Sequence, residues 1–195
     1  ISPVMPKSSV NLKITTEPIL SFSGNYIYVI GGVGDASKLS TILKYDISAN
    51  KWEDTKIPLH LNRGGVFHDR VNNLLTILGG RKDAQLVNKV YNLCLDSLDL
   101  LSDDKSQIKL KRSGFGYLQA DNMMFIVGGN DGEQILKSVL CIKTDVQDIA
   151  VLPDLCLARD ELDVAIGSIA LTRLKGMDIR CWRVRQQPQD LPQVN

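Results

Sequence analysis

Two adjacent glycines close an apolar run three times in this chain. NYIYVIGG ends at Gly31-Gly32, NLLTILGG at Gly79-Gly80 and NMMFIVGG at Gly128-Gly129, at spacings of 48 and 49 residues. Each pair follows an Asn and a short, mostly apolar run, the pattern of a strand buried on both faces. A double glycine at such a place implies that the strand leaves a crowded centre, where a side chain would clash. It also permits positive φ for the turn that follows. A period near 50 residues excludes most folds before any other feature is considered.

Other features recur with the glycines. Arg63, Arg112 and Arg159 are spaced by 49 and 47 residues, in NRGGVF, KRSGFG and ARDELD. Between the first double glycine and Arg63 lies STILKYDISANKWEDTKIPLHLNR. This stretch predicts a strand through Leu43 and Tyr45, a turn at Asp46–Asn50, and a further strand carrying Trp52 and ended by Pro58. Each unit then holds about four short strands, which fits a radially stacked sheet and not a helical solenoid.

The order double glycine, Tyr-Asp, Trp, Pro, Arg resembles the kelch repeat of β-propellers. The first unit, GGVGDASKLSTILKYDISANKWEDTKIPLHLNR, has the whole set. The third keeps the glycines, the Asp-Gly turn, Leu-x-Ser-Val, Leu-Pro and Ala-Arg, with Cys141-Ile142 at the Tyr-Asp place. The second keeps the glycines and Val90-Tyr91, with Asn92 in place of Asp, and its middle, LDSLDLLSDDKSQIKLKR, lacks Trp. The wording of the repeat is most similar to the propellers of BTB-kelch proteins, although no BTB segment is present.

The resemblance implies an all-β, kelch-type propeller with three recognisable four-stranded blades and partial blades at both ends. The expected units are residues 20–63, 64–112 and 113–159, then a degenerate 160–183, within a propeller region 10–183. Residues 1–9 form a flank, VNLKITTEPIL (10–20) reads as strand material before the first unit, and the Gln/Pro-rich 184–195 is expected to be disordered. By the same resemblance, Tyr45, Tyr91 and Trp52 wedge between adjacent blades. The repeated arginines are structural donors within the blades, with ligand contact as the lesser alternative. Three units are too few to close a ring of four to eight blades. The expectation is that further blades lie in sequence not shown, that a partner completes the ring, or that the array stays open and its strand edges promote association with another chain, as an oligomer or larger assembly.

Composition narrows the function classes. A net charge of +1 gives no reason to expect nucleic acid or a membrane surface, and no apolar run reaches the roughly 18 residues that cross a bilayer. The start, ISPVMPKSSV, lacks a signal-peptide pattern, and its first residue is Ile, which fits a piece of a longer chain or a processed one. Cys94, Cys141, Cys156 and Cys181 show no C-x-x-C pairing and no His at zinc spacing, which suggests reduced thiols and a cytoplasmic setting. His60 and His68 have no carboxylate at ligand spacing. No nucleophile or metalloprotease motif occurs, GGVG at 31–34 lacks a following Lys-Ser/Thr, and Asp103-Asp104 and Asp160-Glu161 read as solvated loop charge. The kelch enzyme galactose oxidase uses copper held by histidines and tyrosines, which two histidines match poorly. The expectation is therefore no enzyme, no metal and no cofactor.

What remains is a binding surface for a protein partner. In kelch propellers the loop after the double glycine and the connector between blades share one face. The loop residues expected to meet a partner are Asp35, Lys38, Arg81, Lys82, Asp83, Asn130, Asp131 and Glu133, together with Arg63, Arg112 and Arg159 from the connectors. A mixed polar rim of this kind suits peptide or protein recognition. The resemblance implies a substrate-recognition role in a ubiquitin-ligase adaptor, reaching a cullin through a BTB domain absent here. The alternative is a structural or scaffold subunit of a cytoskeletal or other large assembly.

Overall fold

The computed structural model describes residues 15–34, 41–103, 110–143 and 148–164. Every described element is a strand. In chain order these are β1 (Thr15–Thr16), β2 (Ile19–Ser23), β3 (Tyr26–Ile30), β4 (Val33–Gly34), β5 (Thr41–Asp46), β6 (Lys51–Pro58), β7 (Gly65–Asp69) and β8 (Leu74–Leu78). They continue with β9 (Arg81–Lys82), β10 (Gln85–Leu86), β11 (Val90–Cys94), β12 (Leu100–Asp103), β13 (Gly116–Ala120), β14 (Met123–Val127), β15 (Val139–Lys143) and β16 (Asp148–Leu152).

Twelve of these strands form three antiparallel four-stranded sheets, the blades: β2-β3-β5-β6, β7-β8-β11-β12 and β13-β14-β15-β16. The first strands β2, β7 and β13 pack side by side, so the blades radiate from a common line of first strands. Short turns and Asn residues hold the hairpins. Asn25 Nδ2 donates to Asp46 Oδ1 at 2.9 Å and Asn73 Nδ2 to Asp96 Oδ1 at 2.6 Å, which accounts for the Asn before the apolar run in the first two units.

Strand alternation gives each blade two apolar faces. Blade two presents Val66, Leu75, Ile77 and Leu93 to blade one, where they join Ile19, Tyr28, Ile30 and Ile42. Its other face presents Phe67, Leu78 and Val90 to blade three, where they meet Phe115, Met124, Ile126 and Ile142. Each blade therefore has a backward face toward the preceding blade and a forward face toward the next.

The strand pairing also fixes which residues are equivalent. Tyr45 pairs with Ile27, Leu93 with Leu75 and Ile142 with Met124, each strand partner lying four residues before its first glycine. The register mates of Tyr45 are thus Leu93 and Ile142, not Tyr91 and Cys141 as the Tyr-Asp wording suggests. Tyr91 stands at the place of Leu43. Leu93 and Ile142 are fully buried backward-face residues, so the position selects an apolar side chain and not a tyrosine as such. Tyr45 and Trp52 lie on the backward face of blade one, against which no described blade packs. They face each other across β5 and β6 with ring centroids 4.8 Å apart, outside both buried clusters.

Thr15 and Thr16 pair with Gly34 and Val33, and Ile19 and Leu20 open β2. These residues complete blade one and do not begin an earlier blade. At the other end, Leu162 and Val164 lie against Gly116 of β13, as Phe115 lies against Gly65 of β7. Residues 161–164 thus take the place of the next first strand. Residues 1–14, the rest of the degenerate unit (165–183) and the 184–195 tail lie outside the described residues.

Candidate functional site

The double glycines are docking points for the connector that leads to the next blade. Gly32 N–H donates to the Leu61 carbonyl at 2.9 Å, Gly80 N–H to that of Arg112 at 2.7 Å, and Gly129 N–H to that of Arg159 at 2.7 Å. The preceding glycine of each pair has φ between 60° and 64°. A Cβ there would overlap the Leu61 carbonyl at Gly31, or stand 2.7 Å from the Arg112 oxygen at Gly79 and 2.5 Å from the Arg159 oxygen at Gly128. The obstacle is a backbone carbonyl, which no side-chain rearrangement removes.

This docking corrects the arginine register. Leu61, Arg112 and Arg159 are equivalent, whereas Arg63 is equivalent to Gly114 and Glu161. Among the described residues, Glu17, Arg63, Gly114 and Glu161 all have left-handed backbone, with φ of 57°, 58°, 63° and 53°. Their main chains link in series. Arg63 N–H donates to the Glu17 carbonyl at 3.2 Å, Gly114 N–H to that of Arg63 at 2.9 Å, and Glu161 N–H to that of Gly114 at 2.8 Å. A main-chain hydrogen bond thus runs from blade to blade where each first strand begins. Left-handed geometry is uncommon for non-glycine residues, so its recurrence at four register mates marks a requirement of the fold. The Arg63 guanidinium forms ion pairs with Glu17, at 2.9 Å from Nε to Oε1, and with Glu161. It bridges the units on either side of Gly114, which has no side chain to intervene.

Arg112 is buried and serves its own blade. Its guanidinium donates to the Gly128 carbonyl at 3.0 Å, the Ser138 carbonyl at 3.3 Å and Ser138 Oγ at 2.9 Å. Burial lowers its pKa, and a guanidinium with that many partners stays charged. Arg159 contributes its backbone, the N–H donating to the Leu136 carbonyl at 3.1 Å while its carbonyl receives Gly129.

Among the described residues, the segments just past the double glycines lie on one face. Just past each double glycine, the chain pairs with the residue three before the blade's first strand: Val33 with Thr16, Arg81 with Asn62, and Asn130 with Ser113. Neighbouring loops also touch, since Gly132 lies beside Leu86. Arg81 is half-buried and its Nε donates to Ser113 Oγ at 3.0 Å, which ties blade two to the start of blade three. Lys82, Asp83 and Glu133 are exposed. Asn130 Oδ1 accepts from Gly132 N–H at 2.7 Å, and Asp131 Oδ1 accepts from the N–H groups of Glu133 and Gln134 at 3.0 and 2.9 Å. The Gln134 and Glu133 amides hold the Asp131 carboxyl below the usual carboxylate range. Its charge is therefore kept, and its carboxylate is partly committed to shaping the loop. Asp35 and Lys38 lie outside the described residues.

Between the first two blades this face has a shallow groove of about 120 Å³, lined by Val33, His60, Asn62, Arg81, Lys82 and Asp83 among others. That space is below the roughly 300 Å³ of a typical small-molecule site and suits one side chain of a larger ligand. Among the described residues no group of three or more His, Cys, Asp or Glu is placed to hold a metal. Sequence reasoning overlooked His60 as a groove residue and Glu17, Ser113 and Glu161 as organisers of the face. Only Gly114, at a left-handed position, carried a local signal for that series.

His68 lies at the first-strand line instead. Its Nε2 is 3.3 Å from Ser23 Oγ of blade one, and its backbone N–H and carbonyl bind the Gln119 amide of blade three, each at 2.8 Å. Tyr117 spans further, donating its hydroxyl to the Leu20 carbonyl at 2.9 Å. These contacts give His68 a structural role.

A family model described as Kelch motif matches residues 20–56, which fall within blade one. The match supports the kelch-repeat family, and with the three four-stranded sheets it is consistent with a partial kelch β-propeller. The comparison with curated proteins found no match.

Proposed function

We propose that the chain is a non-catalytic protein-recognition module whose partner lies across the face built by the loops after the double glycines. A kelch repeat suggests a protein-interaction module. The observation that carries the reading is the convergence of the loops at residues 81–86 and 130–136 with the connectors at 60–62 and 112–113. It creates a mixed-charge rim with a groove sized for a side chain. Lys82 and Glu133 present opposite charges on neighbouring loops, which suits a partner carrying both signs and would steer its approach.

Within that reading, the finer proposal is the substrate-recognition part of a BTB-kelch ubiquitin-ligase adaptor, acting in the cytoplasm. What supports it is the wording of the repeat. A scaffold subunit of a large assembly is the second reading, supported by the divergence of the second and third units. Affinity capture of the tagged full-length protein from its own cells, quantified by mass spectrometry, separates the two. Cullin-type subunits with a substoichiometric third protein favour the adaptor, and equimolar structural proteins without ligase favour the scaffold. The doubly substituted Lys82→Glu, Glu133→Lys chain should lose the captured partner while folding normally. Retention of the same partners at wild-type levels would remove the loop face from the proposal.

A further inference from the structure

Each blade ends at its rim in an outer strand, β6, β12 or β16, whose far edge is unpaired among the described residues. Alternate residues of such an edge direct N–H and C=O groups outward, a template for another strand. Two of the three edges are blunted. β6 carries Lys51, Lys56 and Pro58, has left-handed backbone at Lys56 with φ of 62°, and its pairing with β5 slips between Thr41 and Leu43. β12 has four residues, and its exposed Leu101 pairs with Asn92, whose amide oxygen accepts from Thr76 Oγ1 at 2.7 Å. The row behind Leu101 is therefore polar. β16, DIAVL, has none of these devices. It pairs with β15 in unbroken register over all five residues and holds no Lys, Pro or bulge. Asp148, Ile149, Ala150 and Val151 are exposed, Val151 at 74%. Ile149 pairs with Ile142 and Val151 with Leu140, so both stand on the backward face, where Ile142 is buried and Leu140 packs on the same cluster. The apolar face of blade three thus runs out to the rim and stops at an open edge.

We infer that β16 is a self-association site, pairing antiparallel with β16 of a second copy of this chain. The strand is complementary to itself. In the register centred on Ala150, Ile149 meets Val151 of the second copy and Val151 meets its Ile149, two β-branched cross-strand pairs on one face. The row from Leu140 to Val151 in one copy then continues into Ile149 and Ile142 of the other. The only charge in the strand, Asp148, falls opposite Leu152 at each end of the joint, so the two carboxylates do not meet, and each remains paired across its hairpin with Lys143. Antiparallel pairing of one strand with itself is a two-fold contact that closes at two copies. It reverses the strand, so the loop faces of the two copies point in opposite directions and both stay open. The contact lies on the rim, independent of how many blades the ring holds and of the proposed function.

The test is the mass of the full 195-residue chain by sedimentation equilibrium, from low to high micromolar concentration. One strand pair is a small joint, so the expected result is a concentration-dependent rise from 21.6 kDa toward twice that mass. Ile149→Lys and Val151→Lys together place like charges opposite each other across the two-fold and should weaken self-association by roughly 100-fold or more, as should Ile149→Glu with Val151→Glu. Mixing the Lys chain with the Glu chain should restore the dimer, because each Lys then faces a Glu. Val71→Glu, at a residue 89% exposed on a turn of blade two, should leave the mass unchanged. Both sites are exposed, and melting curves close to wild type show that lost association is not unfolding. A second measurement needs no substitution. Amide hydrogen exchange of the unsubstituted chain should show protection at residues 148–152 that grows with concentration.

A monomer throughout that range would overturn the inference. So would a dimer indifferent to both pairs of substitutions, concentration-dependent protection located elsewhere, or folded Lys and Glu chains that fail to associate with each other.

Discussion

Replacing Gly79 by alanine tests the docking of the connector. At φ of 64° an alanine pays about 1–2 kcal/mol for left-handed backbone. Its Cβ would stand 2.7 Å from the Arg112 carbonyl oxygen and 2.8 Å from Phe115 Cε1. The ring can shift, but the carbonyl can move only by stretching the 2.7 Å hydrogen bond from Gly80, worth about 1 kcal/mol net. The stiffer unfolded chain returns about 0.4–1 kcal/mol. The net loss should be about 2–3 kcal/mol, a large share of a typical stability of about 5–15 kcal/mol. Gly24→Ala is the internal control. It has φ of 57°, yet nothing lies within 4 Å of its Cβ position. It carries the backbone cost alone and should lose about 1 kcal/mol or less after the same offset. Urea unfolding of both chains by circular dichroism, with m compared alongside the midpoint, reads the difference. Equal losses at Gly79 and Gly24 would refute the claim that the connector carbonyl, and not the backbone angle, explains the double glycine.

Two further outcomes follow from single side chains. Arg112→Met removes three hydrogen bonds and leaves the Gly128 and Ser138 carbonyls without that donor, so stability should fall by about 2–4 kcal/mol in the same urea assay. Arg112→Lys should recover less than half of it, because an ammonium cannot reach these acceptors as a planar fork does. Tyr28 is 2% exposed, and burial, with smaller contributions from Tyr26 and Glu53, raises its pKa from 10.0 to about 12. A raised pKa means that the folded state holds its proton longer than the unfolded state. The contribution is therefore complete below pH 10 and lost as pH rises toward 12, up to about 2.7 kcal/mol for two pKa units. Tyr28→Phe should flatten the stability profile between pH 10 and 12, and an unchanged slope would show that Tyr28 does not titrate there.

Much of the architecture is readable along the chain. Period, strand length and glycine position are local properties: a short apolar run rich in Ile, Val and Leu and bounded by Asn and glycines reads as a buried strand, and the paired glycines mark where the chain turns against a neighbour. That the loops after the glycines share a face with the connectors is what the resemblance to kelch propellers implies, and the repeat alone does not say it. The register of the other repeated residues is not local. Arg63 looks like the partner of Arg112 by spacing, yet Leu61 holds that place. What the fold needs there is a main-chain carbonyl above a glycine, which leucine and arginine provide equally. Tyr91 similarly resembles the partner of Tyr45, while Leu93 occupies the buried position. The left-handed series through Glu17, Arg63, Gly114 and Glu161 is invisible for the same reason, since three of its four members carry side chains that do not favour that conformation. The sequence by itself determined that this chain builds glycine-hinged blades. Only the tertiary structure decided which residues meet, because those contacts are set by backbone groups that every residue carries and by faces that become apolar interfaces only when another blade arrives.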